Sequence, residues 1–433
     1  MVKKHKVNII TLGCSKNTVD SEHLAAQLKA GKTEVVFDSN KTDADTIVIN
    51  TCGFIKDAKE ESIDTILKYA RAKEDKQIDN LYVIGCLSER YEKELKNEIK
   101  EVDQYFGVND LSKILKTLNT KYKDELLGER ELSTPKHYAY LKISEGCDRT
   151  CSFCAIPLIR GKHKSIPMET LLDEARKLAD KGVKELILIA QDLTYYGIDI
   201  YEKQMLTELL KELVKIKKIK WIRLHYAYPA MFPDELIELI AKEDKICNYL
   251  DIPVQHISDN VLKNMRRAHS PKSTIELIEK IRKSNPNLVL RTTLLVGYPG
   301  EGEKEFEELK EFVQNTKFDR LGIFTYSEEE GTFGAAKHKD EIKEQVKTER
   351  AEEIMALQER ISFELNQKRI GKTMEVLVDR KEGDYYVARS EYDSPEVDNE
   401  ILISAETNKL KIGEFYKVKI DSSREYDLFA SPV

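Results

Sequence analysis

The sequence predicts an α/β chain in three parts: an N-terminal doubly wound α/β domain, a central partial parallel β/α barrel and a small C-terminal antiparallel β-barrel. Three observations carry this expectation. Short apolar runs alternate with helical periodicity from residue 7 to about 118, the pattern of buried parallel strands joined by helices. The same alternation returns from 137 to about 335 with six strand candidates. After Gly371 it gives way to runs rich in Val, Tyr and Ile, which read as antiparallel strands. The expected boundaries are 1–120, a linker at 121–136, 137–370 and 371–433.

In order, the first strands are Val7 to Leu12, Thr46 to Asn50 and Leu81 to Ile84, and Val19, Leu24 and Leu28 at helical spacing form a core face after the first. Residues 121–136 are polar, with Gly128 and Pro135, as suits a linker. The central strands are 138–143, 185–190, 220–226, 249–253, 288–296 and 320–326. A helix follows from Glu344 to about Ile370, with Ile354, Leu357, Ile361 and Leu365 on one face; packing on the barrel or a coiled-coil contact would use it. The last strands include Met374 to Val378, Tyr385 to Ala388 and Tyr416 to Ile420.

A net charge of −7 over 433 residues argues against a protein that coats nucleic acid. There is no run of about 18 apolar residues to cross a membrane, and the basic start from Met1 to Lys6 leads into a strand rather than a signal segment. A soluble, cytoplasmic chain without a membrane partner is expected. Its seven Cys, an odd number, read as ligands or free thiols rather than a disulfide framework.

Three of these thiols, Cys147, Cys151 and Cys154, have the spacing CxxxCxxC after the strand 138–143. They can hold three corners of a [4Fe-4S] cluster and leave one iron open for a substrate or cofactor. The same residues with His163 could bind zinc, although zinc motifs more often show paired Cys-x-x-Cys units. Cys14, Cys52 and Cys86 each follow a predicted strand of the first domain and each has a neighbouring Gly. Parallel strands deliver their ends to one edge, so these thiols either converge on a second metal site or are three buried core residues. Cys247 fits neither triad and is expected to pack.

CxxxCxxC with Phe153 before the third Cys resembles the signature of the radical S-adenosylmethionine enzymes. Two Cys triads, one in a doubly wound domain and one in a barrel, with a small β-barrel after them, resemble the methylthiotransferases over essentially the whole chain. The resemblance implies a second [4Fe-4S] cluster on Cys14, Cys52 and Cys86, a radical cluster on Cys147, Cys151 and Cys154, and a C-terminal TRAM fold that recognises substrate. It implies that one S-adenosylmethionine methylates a sulfide on the auxiliary cluster while another is cleaved to a deoxyadenosyl radical, which abstracts hydrogen from the carbon that receives the methylthio group. No acid-base catalytic residue is expected, and an electron donor and a sulfur donor are required. Phe153, Gln191 and Asp192 are the candidate S-adenosylmethionine contacts; capping after the strand is the alternative for Gln191 and Asp192.

Within this family one branch modifies tRNA adenosines and another an aspartate of small-subunit ribosomal protein twelve. Gly13 to Glu22, Gln191-Asp192 with Tyr196-Gly197, Leu224-His225-Tyr226 and Tyr249 to His256 resemble the ribosomal-protein branch. From Lys372 onward there are 9 Lys and Arg against 14 Asp and Glu, a net of −5, which suits a basic protein partner better than RNA. Glu391, Asp393, Glu396 and Asp398 are expected on that acidic surface. One departure is Ser165-Ile166-Pro167, where the family commonly has Ser-Arg-Pro; Leu295 to Glu301 resembles the superfamily's adenine-side strand.

Overall fold

The computed structural model describes residues 5–39 and 43–433; most of the basic start, Met1 to Lys4, lies outside the described residues. It contains two compact units, one of Met1–Thr134, Tyr140–Asp148 and Ala155–Leu178, the other of Pro135–Ala139, Arg149–Cys154 and Ala179–Val433.

In the first unit, β1 (Lys6–Thr11), β2 (Glu34–Phe37), β3 (Thr46–Thr51), β4 (Asn80–Gly85) and β5 (Gln104–Tyr105) form one parallel sheet in the order β2-β1-β3-β4-β5. Alternate residues of each strand serve opposite faces. Ile47, Ile49, Leu81 and Val83 join one apolar cluster, while Val48, Val7, Ile9 and Tyr82 join another with Leu24 and Leu28 of the helix Ser15–Ala30. The sheet is therefore covered on both sides. β2 and β5, which the sequence reading lacked, are the short edge strands, too brief to leave a periodic signal. Within 121–136, Arg130 is buried and paired to Glu22 and Glu174.

The central sheet adds β6 (Tyr138–Lys142), β9 (Glu185–Ile189), β10 (Trp221–Leu224), β11 (Ile246–Asp251), β12 (Val289–Val296) and β13 (Arg320–Thr325), in the order β13-β12-β11-β10-β9-β6. From β9 to β13 every pairing is parallel, and the two ends of the sheet do not pair, so the barrel is partial. Between β6 and β9, β7 (Ser144–Glu145) and β8 (Lys164–Ser165) pair antiparallel and enclose the cysteine loop.

The helix Glu344–Gln367 packs on this sheet. Its long buried side chains end on main-chain carbonyls: Lys347 Nζ donates to Tyr326 O at 2.9 Å, Gln358 to Phe318 O at 2.9 Å and Arg350 to Glu301 O at 3.0 Å. Such a face is built for the barrel rather than for a coiled coil.

Five strands, β14 (Thr373–Glu382), β15 (Tyr385–Ser390), β16 (Ile401–Ser404), β17 (Phe415–Ser423) and β18 (Leu428–Pro432), close into a barrel. Closure removes the exposed edges of so short a sheet. Its interior is Val376, Val378, Ile401, Ile403, Val418 and Ile420. Trp221, Cys247, Tyr249 and Val289 pack with Leu377, Tyr392 and Phe415, so Cys247 is a packing residue, as expected. Trp221 and Val289 begin their strands, which puts the small barrel at the N-terminal mouth of the central one.

The expected acidic surface is corrected here. Asp393 is fully buried and pairs with Arg320 at 2.5 Å. The Asp398 side chain is 1% exposed, 3.3 Å from Arg291, and accepts from Tyr249 Oη at 2.7 Å. Glu391 accepts from Asn248, leaving Glu396 as the exposed member of the four. Sequence charge did not distinguish solvated carboxylates from those neutralised in an interior.

Candidate functional site

β1, β3 and β4 end side by side, and each runs straight into a thiol: Cys14 starts the helix Ser15–Ala30 as its N-cap, Cys52 follows β3, and Cys86 opens the helix Cys86–Glu98. The order 2-1-3-4-5 reverses direction between β1 and β3, and that switch point is where doubly wound sheets bind their ligands, beyond the strand ends. The loops touch there. Gly13 has φ +87°, and a Cβ on it would stand 2.6 Å from Cys52 Cβ and 3.0 Å from its Sγ; a side chain at this position would occupy the space of the second thiol.

Asn17 ties the three loops together. Its Nδ2 donates to Leu12 O at 2.8 Å and Thr51 O at 3.1 Å, while Oδ1 lies 3.9 Å from Cys86 Sγ and accepts from Arg160 Nη2 at 2.6 Å. Because both carbonyls require a donor, the orientation of the amide is fixed. Arg160 is buried and also paired to Asp20 at 3.2 Å and Glu145 at 2.9 Å. Burial disfavours its charge, but Asp20 and the thiols of Cys86 and Cys14 act with Glu145 to hold its pKa above the usual value. Burial raises the Cys52 thiol and pushes Cys86 up to about 12, with the Arg160 charge opposing both.

The other triad is local. Gly146 (φ +70°) and Cys147 fold back on the end of the same loop, Cys147 N donating to Gly161 O at 3.1 Å. Cys154 N donates to Cys151 O at 3.2 Å. Between them, Ser152 N donates to Met265 O at 2.9 Å, and Ser152 Oγ lies 2.8 Å from Asn264 O and 2.7 Å from Tyr298 Oη. Phe153 packs with Val261, Met265, Leu295, Tyr298 and Tyr326. Tyr298 belongs to the stretch Leu295 to Glu301, which thus braces the cysteine loop; Gly297 N donates to buried Glu301 at 2.9 Å.

Asp192 is 2% exposed and caps the short helix Leu193–Tyr195, accepting from Thr194 N at 2.9 Å. Its other oxygen accepts from Arg149 Nε at 2.9 Å, so its link to the cysteine loop runs through Arg149. Gln191 stands half-buried just beyond β9. His163, the ligand a zinc reading would add, has Nε2 2.9 Å from Ser165 Oγ. Among the described residues no three His, Cys, Asp or Glu side chains form a group that could hold a single metal ion. Ile166, at the family's Arg position, donates its N–H to Ile143 O at 2.9 Å.

Arg160 was missed in the sequence, as were two arginines beside the CxxxCxxC loop. Arg149 and Arg267 each place a guanidinium 4.2 Å from the Tyr228 ring centroid. Arg267 Nη1 lies 3.4 Å from Cys151 Sγ, and Nη2 donates to Pro253 O at 2.6 Å. Arg149 lies inside the Cys motif and could have been suspected, but Arg267 is 113 residues beyond Cys154 and had no local signal.

Both candidate donor sets consist of thiols, the ligands of iron-sulfur clusters. They fit such a group. The chain matches the Radical SAM superfamily over residues 141–313, the TRAM domain over 370–433 and the Uncharacterized protein family UPF0004 over 6–107. Its fold is similar to that of the radical S-adenosylmethionine methyltransferase TsrM from Kitasatospora setae, at a TM-score of 0.56 and 13% identity over 74% of this chain and 72% of that one. Fold and site thus define a radical S-adenosylmethionine enzyme.

Closer relatives narrow this class. The chain is 55% identical to the ribosomal protein uS12 methylthiotransferase RimO of Christiangramia forsetii, over 100% of this chain and 95% of the relative, and 56% identical to that of Phocaeicola vulgatus over 99% and 100%. It belongs to the RimO family of radical S-adenosylmethionine methylthiotransferases.

Proposed function

We propose that the protein transfers a methylthio group to the β-carbon of an aspartate in ribosomal protein uS12, using two [4Fe-4S] clusters and S-adenosylmethionine. The observation that carries this reading is the second thiol triad at the switch point of the N-terminal sheet: cleavage of S-adenosylmethionine needs one cluster, and a sulfur-inserting enzyme has work for another. Cys147, Cys151 and Cys154 would hold the radical cluster, and Cys14, Cys52 and Cys86 the auxiliary one. When bound, these groups supply the electron, the hydrogen-abstracting radical and the methylated sulfur.

The chain's own part is positioning. Tyr298 and Ser152 brace the radical loop, Asp192 sets Arg149, and Asn17 holds the auxiliary loops in register. Phe153 and Gln191 would be the contacts of S-adenosylmethionine, with Asp192 acting through Arg149. Residues 1–120 would carry the auxiliary site, 137–370 the radical chemistry and 371–433 substrate recognition, in the cytoplasm where ribosomes are, with separate electron and sulfur donors. Among the described residues no helix is long and apolar enough to cross a membrane.

The test is mass spectrometry after anaerobic, reducing incubation with uS12, free or in the small subunit, and with tRNA. One methylthio group on the uS12 aspartate is expected. A gain on tRNA with uS12 unmodified would place the chain's activity in the tRNA branch.

A further inference from the structure

Hydrogen bonds to cluster sulfurs are among the levers that set an iron-sulfur potential, and Arg267 is placed to make one. Its Nη1 is 3.4 Å from Cys151 Sγ, within reach for a donor to sulfur, and three further contacts fix its direction. Nη2 donates to Pro253 O at 2.6 Å, Nε lies 3.3 Å from His269 Nε2, and the guanidinium stacks 4.2 Å from the Tyr228 ring centroid. Tyr228 is itself held, its Oη accepting from Ala268 N at 3.1 Å, and Arg149 also lies against its ring. A planar fork held at three points has little freedom to leave the sulfur. Neither the cysteine motif nor the S-adenosylmethionine candidates account for this arrangement.

We propose that Arg267 is a positioning residue of the radical site, donating a charge-assisted hydrogen bond to the Cys151 sulfur that makes the cluster easier to reduce. Reduction adds one electron to the cluster and neither makes nor breaks a bond, so the added negative charge is what the guanidinium stabilises. The electron comes from whatever reductant feeds the enzyme, or from the electrode in the test. This inference rests on the reading of Cys147, Cys151 and Cys154 as cluster ligands.

The test uses the full-length chain with Cys14→Ala, Cys52→Ala and Cys86→Ala, so that all iron belongs to the radical triad. The cluster is reconstituted anaerobically and titrated electrochemically, with electron paramagnetic resonance as readout and without S-adenosylmethionine. Arg267→Gln should lower the ratio of reduced to oxidised cluster at a fixed poise by about tenfold, which is a potential more negative by about 59 mV for one electron. Arg267→Lys should recover part of the shift. Tyr228→Leu, which keeps the cation but removes the ring that holds it, should shift the potential the same way by less.

An iron-loaded Arg267→Gln cluster with the parent's potential would overturn the proposal. So would a shift that appears only once S-adenosylmethionine is added, since Arg267 would then be holding the cofactor. If Arg267→Gln fails to load iron, Tyr228→Leu decides, and a parent-like potential there counts against the proposal. Absence of iron from the triple-Ala parent would instead sink the ligand assignment on which the inference rests.

Discussion

Cys147, Cys151 and Cys154 occupy one eight-residue stretch, whereas Cys14, Cys52 and Cys86 are drawn from three strand ends spread over more than seventy residues. The first triad is grouped by covalent connection and needs the fold only to brace its loop, through Ser152, Phe153 and Tyr298. The second exists only because β1, β3 and β4 lie in parallel register, and it needs Asn17 to join the loops that follow them. Each has an arginine nearby. Arg267 reaches Cys151 directly, while Arg160 stands at the auxiliary triad among Asn17, Asp20 and Glu145. A local site should therefore survive damage to long-range packing that a site assembled from afar cannot.

The bluntest way to separate the two is to delete either set. On the proposed assignment of one four-iron cluster to each triad, changing Cys147, Cys151 and Cys154 together to Ala should remove about half the bound iron and should abolish release of methionine and deoxyadenosine. Iron counting and chromatography of the products check it; continued cleavage would mean that the chemistry lies elsewhere. The reverse triple change at Cys14, Cys52 and Cys86 should spare cleavage while methylthio transfer to uS12 is lost. Sulfur still arriving on the substrate would make the auxiliary site structural only.

A smaller effect is expected when the thiols are left intact and only their tie is cut. Asn17→Ala leaves Leu12 O and Thr51 O without their donor in a buried site, a loss of about 1–3 kcal/mol. Auxiliary iron should fall while iron in the Cys147, Cys151 and Cys154 triad, counted in the variant lacking the other thiols, stays at four per chain. Equal loss from both sites would erase the distinction between a local and an assembled triad.

That same distinction decides what the sequence could tell. The placement of Cys14, Cys52 and Cys86 after three parallel strands was legible from the apolar runs before them, since strand periodicity is local. The six central strands were legible for the same reason. β2 and β5 were not: four and two residues at a sheet edge carry too little pattern. Arg267 and Asn17 were missed as site residues because their partners are distant in sequence, and an Arg or Asn alone has no period. Asp393 and Asp398 were misjudged because charge is read from composition while burial is set by packing. A carboxylate facing Arg320 or Arg291 at the mouth of the central barrel looks the same in sequence as one facing water.

The smallest expected effect concerns two imidazoles largely shielded from water, one in each compact unit. His23, beside the auxiliary half, has its pKa lowered to about 4, chiefly by burial; the nearby charges are Glu174, which raises it, and Arg130 and Lys142, which lower it, and the Glu129 carbonyl is its hydrogen-bond partner. His269, which touches Arg267, is lowered to about 3 by burial and by that guanidinium, with Nδ1 2.9 Å from Thr274 Oγ1. An unfolded His titrates near 6.5, so between about pH 6.5 and the folded value the unfolded chain binds the additional proton. Stability from each neutral ring is complete above about pH 6.5 and declines as the pH falls toward 4 for His23 and 3 for His269, with a slope of at most about 1.4 kcal/mol per pH unit for one proton. His23→Gln should flatten denaturant-measured stability between pH 4 and 6.5 for amides of the N-terminal sheet, followed by hydrogen exchange, and leave the amides of the radical loop unchanged. A His269→Gln chain should do the converse. If either substitution flattened both regions equally, the two triads would share one cooperative unit, and the assembled site would be no more vulnerable than the local one.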